Sequence, residues 1–392
     1  MKASQQPTWI AAARLLAWLG PWGGERVPRS IVRTEIDLAR DADVTRKGSG
    51  SDGAAPESWQ RAATMRAYLY TPSARPTGAY LVAQGLHYAG PDDPRFDRFC
   101  RAVAAGGHLV LAPFLPAFGA MRVDASVGDD LATAFDELEA RAQRACLPKP
   151  AVLSISFGSL ASAMLASRAS HADRLGGWLS FGGYRDFGAT LRFALTGRYQ
   201  HAGKPLEATH DPLNAPVVFL NIVPHLEEAT LAADRRAAFS EALREVARRT
   251  WGKMELKRAG ARDPFVEAVA TMLPEGERHL LRVACGVLPG AEDLVEDGLR
   301  RAGSGFDFAD PLSLLGEVKA PVTVVHGRDD DVIPWVEARK LHAALPAGRS
   351  EVFLTGLYGH TGSALPKPRE AVAEARTLLR ILGRMAAAPR GG

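Results

Sequence analysis

The chain contains serine, aspartate and histidine in an order and at positions that suit nucleophilic acyl chemistry: Ser156, Asp330 and His360. A serine hydroxyl is a poor nucleophile near pH 7, so a neighbouring histidine must accept its proton. A buried carboxylate must in turn fix the imidazole tautomer and stabilise the imidazolium that forms. The three residue types therefore predict attack on a carbonyl carbon, provided that the fold brings them together.

The serine lies at a break in an apolar run. The stretch AVLSISFGSL, residues 151–160, contains Ser154-x-Ser156-x-Gly158, which resembles the G-x-S-x-G nucleophile elbow with serine in place of the first glycine. In that motif the nucleophile occupies a strained turn between a buried strand and a helix, and small neighbours let the backbone approach itself closely. The alternative is an ordinary strand that runs into a Gly-Ser turn.

Alternation of short apolar runs and helical patterns predicts how these residues are positioned. Strands are predicted at 79–84, 108–112, 151–155, 177–181, 321–325 and 351–354, with helices between them, and 30–41 with 65–70 suggests an antiparallel pair. We therefore expect an α/β fold with a mostly parallel central sheet covered by helices on both faces. The predicted parts are an N-terminal helical extension (1–29), a core (30–185 and 311–386) and a helical lid inserted after the sixth strand (186–310).

Composition narrows the class of partner. The net charge is only +4, with 48 Lys and Arg against 44 Asp and Glu and no basic block, so nucleic acid is not an expected partner. Cys100, Cys146 and Cys285 lack C-x-x-C spacing, and no H-E-x-x-H or G-x-G-x-x-G motif is present. We therefore expect free thiols, no metal and no cofactor.

The N-terminal stretch 9–19 predicts a short helix that ends at Gly20-Pro21. It is shorter than the about 20 apolar residues that span a bilayer, and it makes a poor secretory signal because Arg14 interrupts it. Two interpretations stay open: a helix packed on the domain, and a membrane-surface helix with Trp9 and Trp18 at the interface. We expect a cytoplasmic protein, with peripheral membrane contact through 9–19 as the second interpretation.

From about residue 30 to 386 the chain resembles the α/β-hydrolase family, on four motifs at the ends of predicted strands. They are the elbow at Ser156, the loop Gly327-x-x-Asp330-x-Val-Ile-Pro334, Gly359-His360 after the last strand, and Gln84-Gly85-Leu86-His87. In many members the last motif begins with His rather than Gln. The resemblance implies a catalytic triad of Ser156, Asp330 and His360.

Several neighbours compete for these roles. The spacing favours Asp330 over Asp329 and Asp331, and Asp186 occupies an acid position used by some relatives. His326, at a strand end, is interpreted as a structural hydrogen-bonding residue. The resemblance implies an oxyanion hole from the backbone N–H groups of Leu86 and Phe157. His87 is either a substrate-binding residue or a loop histidine without a direct role.

The predicted activity is that of a serine esterase resembling carboxylesterases and lipases, which cleaves a carboxylic ester or thioester through an acyl-serine. A small-molecule acyl ester is the expected substrate. An acyltransferase with the same triad and a catalytically silent binding protein of this fold are the alternatives. Aspartate at position 156 would have indicated a dehalogenase, but the residue is serine.

Overall fold

The computed structural model describes residues 8–20, 26–40, 58–357 and 371–390. Its main feature is an eight-stranded sheet of order β1-β2-β4-β3-β5-β6-β9-β10. The strands are β1 (Val32–Ala39), β2 (Thr64–Thr71), β3 (Gly78–Ala83), β4 (His108–Pro113), β5 (Ala151–Ile155), β6 (Gly177–Phe181), β9 (Val322–Gly327) and β10 (Ser350–Thr355). β2 is antiparallel to both β1 and β4, and the remaining pairs are parallel. The order and direction of the strands confirm the predicted fold class.

Helices cover both faces because each central strand is buried on both sides. Tyr80 and Val82 of β3 lie in one apolar cluster, and Leu81 between them lies in the other, as the two-residue period of a strand requires. The first face carries α1 (Thr8–Leu19), α3 (Pro94–Ala105) and α15 (Ala371–Ala387); the second carries α5 (Ser126–Arg144), α6 (Gly158–Ser167), α13 (Leu312–Leu315) and α14 (Val336–Ala344). Two single-turn helices, α2 (Ser58–Arg61) and α4 (Pro116–Gly119), complete the core.

The N-terminal helix packs on the core through Ala11 and Leu15, which are fully buried against α15 and α3. Trp9 at its start is 69% exposed. Within the described residues no helix combines the length and the hydrophobicity needed to cross a membrane. Packing on the domain agrees with the first interpretation of this segment, and membrane contact stays a prediction.

Between β6 and β9 the chain leaves the sheet and forms a helical insertion. It contains α7 (Phe187–Thr196), the hairpin strands β7 (Arg198–His201) and β8 (Lys204–Glu207), α8 (Ala215–Ile222), α9 (Arg236–Thr250), α10 (Asp263–Ala270), α11 (Glu275–Ala284) and α12 (Ala291–Ala302). Every residue of α8 is buried, and this helix packs against α7, α9 and α12. α8 is therefore the centre of a small helical layer that shares one apolar cluster with the second face of the sheet.

The β7–β8 hairpin was not predicted. Its two turn residues, Ala202 and Gly203, both have positive φ, at 50° and 75°. Such turns usually contain Asn-Gly or Asp-Gly, so alanine in the first position gives no sequence signal.

Candidate active site

Ser156 occupies the sharp turn between β5 and α6. Its φ is 52°, in the left-handed region that side chains other than glycine seldom adopt, and its N–H donates to the carbonyl of Phe181 on β6 at 2.8 Å. The residue is 5% exposed and lines a cavity at the carboxyl end of the sheet. A strained, non-glycine residue at the edge of a cavity is a feature typical of functional sites.

Glycines allow this turn to form. A Cβ added to Gly158 would lie 2.6 Å from the carbonyl oxygens of both Ala83 and Gln84, closer than real Cβ atoms approach backbone. A Cβ on Gly85 would lie 3.2 Å from the Ser156 Cβ. The start of α6 and the loop after β3 therefore pack backbone against backbone, which brings Leu86 beside the nucleophile turn.

Serine at position 154, where the motif usually has glycine, has a structural explanation. Its hydroxyl is fully buried and accepts a hydrogen bond from the indole Nε1–H of Trp178 on the neighbouring strand, at 2.9 Å. A buried indole N–H needs an acceptor, and glycine would offer none. The departure from the motif thus supplies a partner to a core tryptophan and leaves the turn unchanged.

The two predicted oxyanion donors, Leu86 and Phe157, both lie in the wall of this cavity. Leu86 is in the loop after β3, and Phe157 is the N-cap residue of α6. Neither backbone N–H donates to a backbone carbonyl within the described residues. Both residues line the same cavity as Ser156, with the Phe157 ring packed on Tyr184 and Phe187. Two N–H groups beside a serine hydroxyl could stabilise an oxyanion there.

Asp330 follows β9, two strands away from β5 in the sheet. Its carboxylate is buried, and Oδ1 accepts the backbone N–H groups of Val332 and Ile333 at 2.9 and 2.8 Å. Nε2 of His326 lies 3.5 Å from its Oδ2 and hydrogen-bonds the carbonyl of Ile333 at 2.9 Å. The carboxylate of Asp330 thus helps to hold the shape of its own loop, residues 327–334, which we call the acid loop.

The rival acids have other surroundings. Asp329 is exposed. Asp186 is the N-cap of α7, where its carboxylate accepts the N–H of Ala189 at 2.8 Å. Asp331 pairs with Lys257 at 2.6 Å. His360, the predicted base, lies outside the described residues.

His87 forms part of the cavity wall. Its ring stacks between Tyr88 and Trp251, with centroids 4.6 and 5.1 Å away, and Nδ1 accepts the N–H of Ala89 at 3.1 Å. Burial lowers the pKa of His87 below its usual value and outweighs the opposing effect of Asp93. The ring is therefore neutral near pH 7, and the hydrogen bond to Nδ1 places its proton on Nε2. The residue is fixed within reach of a bound molecule.

The cavity has a volume of about 440 Å³ and is walled by both the core and the insertion. The core contributes apolar side chains from Leu86, Phe96, Phe99, Ile155, Phe157 and Val332. The insertion contributes Leu191, Ala194, Val217, Val218 and Trp251. A compound with an apolar part would find a largely hydrophobic surface beside Ser156.

Sequence reasoning missed two polar features of this region. Gln84 and Asn214 line the cavity, and their side chains are buried. Lys257 bridges Asp211 and Asp331 at 2.9 and 2.6 Å and so links the insertion to the acid loop. Asn214 and Lys257 lie in no motif. Gln84 begins the motif at 84–87, but that pattern does not record how the amide is paired. In the described part of the chain, no cluster of three or more His, Cys, Asp or Glu side chains is arranged to hold a metal ion.

No protein-family model and no curated protein sequence matches the chain. Among solved structures it is similar to brefeldin A esterase, described as a bacterial homologue of human hormone-sensitive lipase, at 13% identity and a TM-score of 0.45, covering 100% of this chain and 89% of that one. It is also similar to a Pyrococcus furiosus esterase at 10% identity and a TM-score of 0.44, covering 91% and 90% of the two chains. A Pyrococcus horikoshii acylaminoacyl peptidase matches at 8% identity and a TM-score of 0.44, over 90% of this chain, which spans about 40% of the peptidase.

Proposed function

We propose that the protein is a serine hydrolase that cleaves carboxylic esters or thioesters through an acyl-Ser156 intermediate. The observation that carries the proposal is Ser156 itself, at φ 52° on a strand-to-helix turn that faces an apolar cavity. The fold and the buried Asp330 carboxylate are consistent with it.

In the proposed reaction Oγ of Ser156 attacks the ester carbonyl carbon and loses its proton to His360, a role assigned from the sequence. The N–H groups of Leu86 and Phe157 stabilise the oxyanion, each contributing on the order of 3 kcal/mol in the transition state. The bond to the leaving group then breaks, and the alcohol or thiol receives the proton from the imidazolium. Water repeats the sequence on the acyl-serine and releases the carboxylic acid. Asp330 stabilises the imidazolium throughout.

The nucleophile is tested with a fluorophosphonate probe and a series of aryl esters of rising chain length. We expect the probe to label Ser156 and the Ser156→Ala variant to lose labelling and about 10³-fold or more in kcat. Ser162→Ala is the matched control, since Ser162 is a buried serine of α6 outside the cavity lining. Labelling that persists in Ser156→Ala would assign the nucleophile elsewhere.

The acid is tested by three substitutions of aspartate with asparagine. Asp330→Asn should be severely impaired, because an amide cannot stabilise the imidazolium. Asp329→Asn and Asp186→Asn should keep most of the activity, since one carboxylate is exposed and the other caps a helix. The greatest loss in Asp186→Asn would refute the assignment.

We further propose that residues 186–310 act as a lid that sets the accepted chain length. Ala194 of α7 is 5% exposed and lines the cavity, so Ala194→Trp should fill part of it. Each methylene excluded from the cavity removes about 0.8 kcal/mol, roughly fourfold in kcat/KM. Met272→Trp is the control because Met272 is 63% exposed. An unchanged chain-length profile in Ala194→Trp would refute the proposal.

A further inference from the structure

Two side-chain amides in the cavity wall have hydrogen-bonding capacity that the protein does not use. Gln84 is 2% exposed, and neither its Oε1 nor its Nε2 has a partner among the described residues. Asn214 is 4% exposed; its Oδ1 accepts the indole N–H of Trp251 at 2.9 Å, whereas its Nδ2 has no partner within the same ranges. Buried amides without partners are unfavourable, so a bound group that pairs with them gains affinity.

Gln84 and Asn214 line the same cavity as Ser156. Gln84 precedes Gly85, whose added Cβ would be 3.2 Å from the Ser156 Cβ. The Gln84 amide lies over Gly90, where an added Cβ would be 2.5 Å from Oε1. Asn214 holds Trp251, which stacks on His87 beside the predicted oxyanion donor Leu86. A molecule that fills this cavity therefore contacts Ser156 and the wall that holds both amides.

The charges of the wall indicate which kind of group fits. Asp93 and Asp211 line the cavity, and each is already paired, with Arg95 at 2.8 Å and with Lys257 at 2.9 Å. Arg95 lines the cavity as well, so each of these carboxylates is already neutralised by a cation and a charged ligand would have to compete with an existing ion pair. The Gln84 amide offers one acceptor and two donor hydrogens. The complementary group is neutral and hydrogen-bonding, such as a hydroxyl or a carbonyl.

We infer that Gln84 and Asn214 form a polar subsite for a hydroxyl or carbonyl group of the substrate, so that the preferred esters carry such a group near the scissile carbonyl. This inference rests on the proposed function, and it names the substrate class of that site: otherwise apolar esters with a neutral polar substituent. Gln84 is the specificity-determining residue because its whole amide is unpaired.

The first experiment compares matched esters that differ by one polar group. Phenyl 3-hydroxybutyrate against phenyl butyrate places the hydroxyl in the acyl part, and 2-hydroxyethyl butyrate against propyl butyrate places it in the alcohol part. In at least one pair we expect kcat/KM to favour the hydroxylated ester by about tenfold, equivalent to about 1.4 kcal/mol. In Gln84→Met, which keeps the side-chain length and removes the amide, that preference should disappear.

Ser162→Ala is the control, because Ser162 is also a buried polar side chain without a partner among the described residues, yet it does not line the cavity. It should keep the wild-type preference. Equal rates within both pairs for the wild type, or a preference that survives in Gln84→Met, would overturn the inference. Either result leaves the proposed function standing if the esters are hydrolysed.

The second experiment measures the subsite without turnover. Calorimetry on Ser156→Ala compares 3-hydroxybutyranilide with butyranilide, and N-(2-hydroxyethyl)butyramide with N-propylbutyramide. Binding about tenfold tighter for a hydroxylated amide, lost when Gln84→Met is added, supports the subsite even if the wild type hydrolyses no ester. In that case the proposed function fails and the subsite stands. Equal affinities within both pairs overturn the subsite.

Discussion

Glycine at position 156 should make the protein more stable than alanine does, although it removes the same hydroxyl. Ser156 has a φ of 52°, and a Cβ in the left-handed region costs about 1 kcal/mol or more that glycine avoids. In a helix interior the order reverses, since glycine is about 1 kcal/mol less favourable than alanine. The sign of the difference in unfolding free energy between the glycine and alanine variants therefore shows whether the backbone at position 156 is strained.

Ser162 supplies the matched helical position, buried in α6 and only six residues along the chain. We expect the free energy of unfolding of Ser156→Gly to be about 1 kcal/mol higher than that of Ser156→Ala. At the helical position, the free energy of unfolding of Ser162→Gly should be lower than that of Ser162→Ala by about the same amount. The two comparisons should thus differ by about 2 kcal/mol. Both substitutions at position 156 should abolish esterase activity.

Urea unfolding is the suitable assay. With an unfolding entropy of about 2.1 cal/mol/K per residue, 392 residues give about 0.8 kcal/mol/K, so 1 kcal/mol moves Tm by only about 1.2 °C. Urea midpoints at a constant m-value resolve such differences better. If Ser156→Gly is less stable than Ser156→Ala by the amount seen at Ser162, the turn is unstrained and the elbow interpretation is wrong.

Two further substitutions test the supports of the site. Lys257→Met should lower the free energy of unfolding by about 2–3 kcal/mol and also lower kcat, because it removes the bridge between Asp211 and Asp331 next to Asp330. Lys319→Met is the control: its ion pair is exposed on both sides, so the loss should be less than about 1 kcal/mol. Burial opposes the charge of Lys257, but its hydrogen bonds to both carboxylates prevail and raise its pKa above 10.5. Between pH 6 and 10.5 the stability deficit of Lys257→Met should therefore be constant, and it should shrink as pH rises further. A deficit that already shrinks between pH 6 and 9 would contradict this. Gly158→Ala should lower the free energy of unfolding by about 3 kcal/mol, because the added methyl group overpacks the turn. Gly383→Ala in α15 is the control and should be neutral or stabilising, since nothing lies within 4 Å of the added Cβ. Equal urea midpoints for the two variants would refute the packing argument.

The core of the fold was predictable because burial on both faces imposes a clear alternation of strands and helices. The predicted strand 177–181 agrees with β6 at every residue. The apolar run 216–223 is as compatible with a strand as with a helix, since a helix that is buried all round shows no amphipathic period. The structure makes it α8, the buried centre of the insertion.

The candidate site also has one part that the sequence predicts and another that it does not. The turn at Ser156 depends on a few adjacent residues, so its geometry could be predicted from a short motif. The pairing states of Gln84 and Asn214 depend on which groups happen to surround them after folding, and no local pattern records that. The ion pairs of Lys257 join residues 46 and 74 positions away.

The residues of the proposed chemistry and much of the cavity wall belong to different parts of the fold. The proposed chemistry comes from β5, α6 and the loops after β3 and β9, which belong to the sheet. Much of the cavity wall comes from α7, α8 and Trp251, which belong to the insertion and are attached to the acid loop by Lys257 and by the N–H of Asp211 on the carbonyl of Asp331 at 2.8 Å. If the proposed function holds, substitutions in the insertion should therefore change which ester is accepted and leave the nucleophile turn unaltered. Substitutions at Lys257 should have a different effect, because this residue connects the insertion to the loop that holds Asp330. They should alter both substrate preference and kcat.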